Sequence, residues 1–463
     1  MSKEGANNIM RTILTEMTMC GFKGVKKPIT IQFTNKKINK ETFDKPIIKA
    51  IYGTNGEGKT AIIHALDVFK NTIASNDYLT IESAKGTLGE IINKQLREAS
   101  ISLKYATYTA EISSNNKDAS REIIYFEHSL EYGVDDNSKV FIKSEKLSMR
   151  CPAAKINKDS PIFEVKNGEI VELSDLIFEE EEKKGISDKS KNLLTKTSLL
   201  MCALQFLTEY IKTAEGTKKR ISMVTLLVLA SLFPLLTQIY LDDQDSHEIE
   251  SFKIDEIIKQ TNYLNSKEFD RDSISIDKEV IDIDAKDLDI YKKEVKKIES
   301  FLKIFKPDLK KIDVDASPVG KDKYRCKKYM VYKDGSIISS EYESSGIKKL
   351  MKLYPVLSTL EIGGIAVIDE FDSNIHDVYL CKIIEYVMNY TKGQLIFTTH
   401  NLGPMELLDK STLKHTVDFV NNSEITSWKK NGNYSIVKVY RGGAIPNCPF
   451  NIDAADFVKV FGK

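Results

Sequence analysis

Residues 53–60 read GTNGEGKT, a complete match to the phosphate-binding pattern G-x-x-x-x-G-K-[ST]. The string follows the strand-like apolar run Ile47 to Tyr52 and opens onto Ala61 to Phe69, where Ile62, Ala65, Leu66 and Phe69 recur at helical spacing. Strand, glycine turn and helix in that order are the context the pattern requires. Gly53, Gly56 and Gly58 are expected to take φ > 0 and to turn successive N–H groups onto the β- and γ-phosphates, at a helix N-terminus whose dipole favours anions. Thr54, Asn55 and Glu57 complete the loop, Lys59 adds a mobile positive charge, and Thr60 brings a hydroxyl to Mg²⁺. A glycine turn that binds nothing would leave the lysine, the hydroxyl and both flanking elements unaccounted for.

Far downstream, residues 363–376 read GGIAVIDEFDSNIH. Gly364 to Ile368 is a continuous apolar run, as expected for a parallel strand buried on both faces. At its end Asp369 is placed to hold the Mg²⁺ water shell, and Glu370 to polarise the water that attacks the γ-phosphate. Taken alone, two acids after a strand are as often an exposed strand end; the phosphate loop makes them a pair with a task. The two motifs together imply ATP and Mg²⁺ as cofactors.

Two further strings define the subclass. Residues 343–350 read ESSGIKKL, a Ser-Ser-Gly turn opening a helix with apolar Ile347, Leu350, Met351 and Tyr354, and residues 394–401 read QLIFTTHN, a second buried strand ending in His400. In this order the four elements resemble the ATPase heads of ABC-type proteins. Ser344, Ser345 and Gly346 stand where the signature Ser-Gly-Gly is more usual, and His400 where that class has its switch histidine. The resemblance implies catalytic roles for Glu370, His400 and Lys59. It also implies a homodimer, extendable to higher homo-oligomers, in which the signature turn of one copy closes on the γ-phosphate held by the other. An ordinary N-cap for the serines and a satisfied buried histidine are the plainer readings of those residues in isolation.

The whole chain bounds these readings. Its 463 residues are 41% hydrophobic and 29% charged, enough for an ample core in a soluble globular protein. Formal net charge is zero, so no global basic field draws it to nucleic acid, and DNA contact would need a local patch. The six cysteines (Cys20, Cys151, Cys202, Cys326, Cys381, Cys448) include no C-x-x-C pair, which gives neither a zinc site nor a disulfide framework. Polar residues 1–8 carry no secretory signal core, and a cytoplasmic location is expected. Met223 to Leu241, MVTLLVLASLFPLLTQIYL, is nearly long enough to span a bilayer. Pro234, Gln238 and two threonines favour a buried helix pair or a partner interface over a membrane span.

The fold class expected is α/β: an ATPase head with an antiparallel β subdomain and a helical insertion. Residues 11–170 form the first ATPase lobe, with period-two alternation through Ile124, Phe126, His128, Leu130 and Tyr132. Residues 171–305 read as the helical insertion, suited to a partner or to oligomerisation, and residues 306–463 as the second lobe. Within INKQLREA, Gln95 is a candidate Mg²⁺-sensing glutamine beside Thr60 and Asp369, with a surface glutamine the plain alternative. The Asp-rich run at Asp282, Asp284, Asp287 and Asp289 reads as a solvated face rather than a metal site. The basic stretch Lys303 to Lys328 reads equally as a solvated face or a nucleic-acid patch.

Arg11 to Phe33, with its Gly-Phe-Lys-Gly turn, resembles the opening of RecF and SMC heads, where a basic residue matching Lys23 approaches the nucleotide. The interruption before the second lobe lacks sustained heptads, so long coiled-coil arms are not expected. Too few residues follow His400 for a Toprim nuclease domain, so any nuclease is expected in trans. ESSGIKKL, GGIAVIDEFDSNIH, FTTHN and VYRGGAIP (439–446) are similar to the stand-alone AAA15/AAA21 ATPases of abortive-infection systems, such as the ATPase component of PARIS or of AbiL-like pairs. That resemblance implies a slow ATPase acting as sensor and scaffold, with a phage-encoded trigger and a toxic, nuclease-like effector protein as partners. A RecF/SMC-like DNA-repair ATPase and a membrane-associated effector are the alternatives.

Overall fold

The computed structural model describes residues 11–35, 37–54, 56–109, 122–152, 154–213, 218–242, 278–421, 424–428, 434–445, 457 and 460. Asn55, Asp243, Asp245, Pro446 and Cys448 lie outside the described residues. In chain order the strands are β1 (Arg11–Cys20), β2 (Ile29–Gln32), β3 (Ile47–Tyr52), β4 (Glu98–Thr109), β5 (Glu122–Val134), β6 (Val140–Cys151), β7 (Ile156–Lys166), β8 (Glu169–Leu173), β9 (Thr237–Tyr240), β10 (Val280–Asp284), β11 (Leu309–Val319), β12 (Lys323–Tyr332), β13 (Ile337–Ser339), β14 (Ile365–Ile368), β15 (Gln394–Thr398), β16 (Val417–Asn421) and β17 (Glu424–Ser427). The helices are α1 (Lys59–Ala74), α2 (Glu82–Ile91), α3 (Glu180–Ser190), α4 (Leu199–Thr213), α5 (Lys218–Leu236), α6 (Leu288–Phe305), α7 (Ser345–Ser358), α8 (Asp377–Tyr390), α9 (Leu402–Lys410) and α10 (Ile436–Arg441).

The architecture is α/β, as expected. A six-stranded sheet of order β17-β16-β3-β15-β14-β9 carries the phosphate-loop strand β3 beside β15, and β15 beside β14. These strands are parallel, with β17 the antiparallel edge. Every side chain of β14 and β15 is buried, and their alternation divides two cores. Ile365, Val367 and Ile396 face the cluster that includes α1, α4 and α5, while Ala366, Ile368, Leu395 and Phe397 face α7, α8 and α9. Burial on both faces explains why these strands read as unbroken apolar runs.

The antiparallel subdomain is a seven-stranded sheet of order β2-β1-β4-β5-β6-β7-β8. In β5, Ile124, Phe126, His128, Leu130 and Tyr132 form the buried row, the same row that the period-two pattern selects. This row packs on α1, α4 and α5, so these helices lie between the two sheets. A buried glutamine ties the sheets directly: Gln394 Oε1 accepts from the Leu14 N–H at 2.8 Å, and its Nε2 donates to the Leu14 carbonyl at 2.9 Å. The contact falls where β1 shifts register against β4, between Leu14 and Glu16, so the glutamine satisfies backbone groups at the irregularity.

The block 171–305 differs in part from its helical reading. Met223 to Leu241 divides into most of α5, up to its end at Leu236, and the strand β9, which pairs in parallel with β14 from Thr237↔Ile365 to Tyr240↔Ile368. Leu227, Leu229, Ala230, Leu232 and Phe233 are buried against the antiparallel sheet and α1. Pro234 sits in the last turn of α5, where the helix is about to stop. Among the described residues no helix is long and apolar enough to cross a membrane.

The Asp-rich run forms β10 and the start of α6. Asp282 accepts from two of the three guanidinium nitrogens of Arg325, Nε at 2.8 Å and Nη2 at 2.9 Å, and Asp284 lies 3.9 Å from Lys323. The acidic and basic runs therefore face each other across the β10–β12 ladder, which is the solvated-face reading of both. Among the described residues no cluster of His, Cys, Asp or Glu is arranged to hold a metal ion by itself.

Candidate nucleotide site

The phosphate loop spans the gap between β3 and α1. Gly56 and Gly58 take φ of 85° and 110°, as expected of residues that turn N–H groups inward. Gly53 does not; the expectation of a positive φ there is corrected. What demands glycine at 53 is space, because a Cβ would stand 2.6 Å from the carbonyl oxygen of Val420 on β16. Lys59 is 7% exposed and its Nζ donates to the carbonyls of Gly53 at 2.8 Å and Thr54 at 3.0 Å. Burial lowers its pKa, while Asp369, Glu370, Asp372 and Glu57 oppose the shift. Thr60 is the second residue of α1, one position from the lysine.

Asp369 and Glu370 follow β14 directly. The Thr398 hydroxyl at the end of β15 joins them, donating to Asp369 Oδ1 at 2.5 Å and accepting from the Glu370 N–H at 2.8 Å. Glu370 has φ 45°, a left-handed conformation that costs a non-glycine residue about 1–3 kcal/mol. Partial desolvation raises its pKa, and Asp369, Asp242 and Asp372 add to the rise. So many carboxylates around so few cations leave an excess of negative charge, which a hard divalent cation bound to a triphosphate suits. Thr60 and Asp369 fit as its protein oxygens.

His400 is exposed, and its backbone N–H donates to Asp372 Oδ2 at 3.2 Å. Partial desolvation, then the charge of Lys59, lowers its pKa, so the neutral imidazole is favoured. Thus Lys59, Asp369, Glu370, Asp372 and His400 share one electrostatic neighbourhood.

The serine-glycine turn opens α7, where the Ser344 side chain accepts from the Ile347 N–H at 3.4 Å. Ser344 and Ser345 are exposed. Ser345 Oγ donates to Asn374 Oδ1 at 3.1 Å, and a Cβ on Gly346 would lie 2.6 Å from the Asn374 carbonyl oxygen. The turn therefore rests on the loop that leaves Glu370. Gln95 is exposed in the turn after α2, with its N–H on Asn93 Oδ1 at 3.0 Å. It is Asn93 that reaches the opening turn, donating from Nδ2 to the Lys23 carbonyl at 2.6 Å. Val25 of that turn would stand 3.0 Å from a Cβ on Gly58, which puts the Lys23 turn against the phosphate loop.

The AAA ATPase domain family AAA_15 matches residues 13–403. The chain belongs to this family. It is therefore an ATPase-domain protein with the nucleotide motifs in the places described. No curated protein matches the chain. Among solved structures, the Smc head domain with a coiled coil and joint from Pyrococcus yayanosii matches at 12% identity and TM-score 0.38, over 93% of this chain and 99% of that one.

Three residues of the candidate site escape a reading of motifs alone. Thr398 is hidden as the last residue of an apolar strand. Asp242 follows β9 and reads as a flanking acid, yet its Oδ2 accepts from Ser373 Oγ at 2.9 Å. Lys349, a charged residue on α7, is 3% exposed and donates to the Glu370 carbonyl at 2.6 Å. The only local signal for it is its place one turn before Leu353, on the buried face of the helix.

Proposed function

We propose that the chain is an ABC-type ATPase that binds ATP with Mg²⁺, pairs with a second copy across the nucleotide, and hydrolyses it slowly to reset a switch. In this reading Lys59 and the loop N–H groups hold the phosphates, and Thr60 and Asp369 hold Mg²⁺, which neutralises charge on the transferring phosphoryl group. Glu370 polarises the attacking water and His400 senses the γ-phosphate. The observation that supports it best is the join between Ser345–Gly346 and Asn374. The exposed N-terminus of α7, free to meet a partner's nucleotide, is fixed to the loop carrying the chain's own Glu370, so occupancy at one site bears on the other.

The biological role follows the resemblance to abortive-infection ATPases: sensing a phage product and controlling a nuclease-like effector supplied in trans. The block 171–305 is proposed to hold that partner, with α3 offering exposed Glu180 and Glu181. The pairing of Arg325 and Lys323 with Asp282 and Asp284 offsets two of the basic residues that the DNA-repair alternative would draw on.

The test has a biochemical and a cellular arm. Lys59→Ala is expected to abolish ATP binding by calorimetry, and Glu370→Gln to keep binding and lose turnover. Cells carrying the gene with its neighbour are expected to resist a phage panel, and Lys59→Ala cells are not. Equal turnover in wild type and Glu370→Gln removes Glu370 from the mechanism, and unaltered resistance with Lys59→Ala separates ATP from defence.

A further inference from the structure

We propose that Lys349 is the positioning residue of Glu370, acting through the backbone of that glutamate. This rests on the ATPase reading above. Glu370 is held in its left-handed conformation by one bond on each side of its Cα: its N–H on the Thr398 hydroxyl at 2.8 Å, and its carbonyl on Lys349 Nζ at 2.6 Å. The first anchor belongs to the sheet. The second comes from α7, one turn after Gly346, so the element that presents the serine-glycine turn also fixes the backbone of the water-activating carboxylate.

The lysine is built into a closed set of partners. Its Nζ lies 3.3 Å from Asp242 Oδ1, bonds the Ser373 hydroxyl, and stands 5.2 Å from the centre of the Tyr240 ring. Asp242 accepts from the Tyr240 hydroxyl at 2.9 Å and from Ser373 at 2.9 Å. Charge and donors are satisfied, which is what keeps an ammonium in so buried a place. A lysine needed only to balance Asp242 would not have to spend a donor on the carbonyl of a residue with a positive φ. Displacement of α7 by a docking partner would pull this donor, and with it Glu370, into or out of line.

The test compares the full chain as wild type, Glu370→Gln, Lys349→Met, and Lys349→Met combined with Asp242→Asn, reading ATP turnover, ATP affinity and thermal midpoint. Lys349→Met is expected to lose about 100-fold in kcat, the scale of a reacting group misplaced by an ångström. Its ATP affinity is expected to stay within about threefold of wild type, because the phosphate loop is untouched. The double variant buries no unpaired charge and so keeps its fold even where the single variant does not; its turnover is expected to stay lost. Return of turnover in the double variant overturns the proposal, since Lys349 would then only offset Asp242. Wild-type turnover in Lys349→Met, or a fall in affinity that matches the fall in kcat, overturns it as well. Loss of turnover in Glu370→Gln alongside full activity in Lys349→Met defeats this inference alone, whereas a wild type that does not hydrolyse ATP defeats the ATPase reading with it.

Discussion

Thr398 shows how much of the candidate nucleotide site rests on a single hydroxyl. It is fully buried and bonds both Asp369 and the Glu370 N–H. Thr398→Val keeps the shape and removes one hydrogen bond from each of the two groups, at a cost of about 1–3 kcal/mol. Turnover is expected to fall about tenfold, the equivalent of some 1.4 kcal/mol, with ATP affinity retained; unchanged kcat in a steady-state assay contradicts this. At the same scale the sequence was informative where chemistry is local. Gly56, Gly58, Lys59, Asp369 and Glu370 lie within short strings whose spacing carries their roles. Thr398, Asp242 and Lys349 converge from three elements far apart in the chain. Only strand order brings them together, and no periodicity encodes it. At Gly53 the demand is not a positive φ but the close approach of Val420.

Among the elements, α7 and the loop after β14 form one unit. Gly346→Ala places a methyl 2.6 Å from the Asn374 carbonyl oxygen, where backbone must move. Nucleotide binding by the phosphate loop is expected to persist, while turnover and ATP-dependent pairing fall together. Pairing that persists while only turnover falls would contradict a joined turn and loop. The parallel strands and the antiparallel subdomain were legible because burial on two faces and on one face leave different patterns. The apolar stretch 223–241 was not, since a buried helix and a buried strand look alike when both are continuously apolar. The four residues of β9 were therefore lost in the run that precedes them. A like limit applies to the acidic and basic runs: each can be read alone as a solvated face, and only the antiparallel register of β10 and β12 shows that Asp282 and Asp284 meet Arg325 and Lys323.

For the whole molecule, the sheet order places the phosphate loop, the paired carboxylates and His400 at the same end of β3, β14 and β15. The Gln394 bridge to Leu14, at the opposite end of β15, and the shared core of α1, α4 and α5 join this sheet to the antiparallel subdomain. In the proposed reading, a nucleotide at the phosphate-loop end acts on a second copy through α7. The measurement that tests this most directly is the solution mass of Glu370→Gln by light scattering, with and without ATP and Mg²⁺, beside Lys59→Ala/Glu370→Gln. The account predicts that nucleotide shifts Glu370→Gln from the mass of one chain to that of two, or doubles a larger assembly. It also predicts that chelating Mg²⁺ reverses the shift and that the double variant never makes it. A mass that ignores nucleotide in Glu370→Gln, or that shifts equally in the double variant, contradicts an ATP-gated pair.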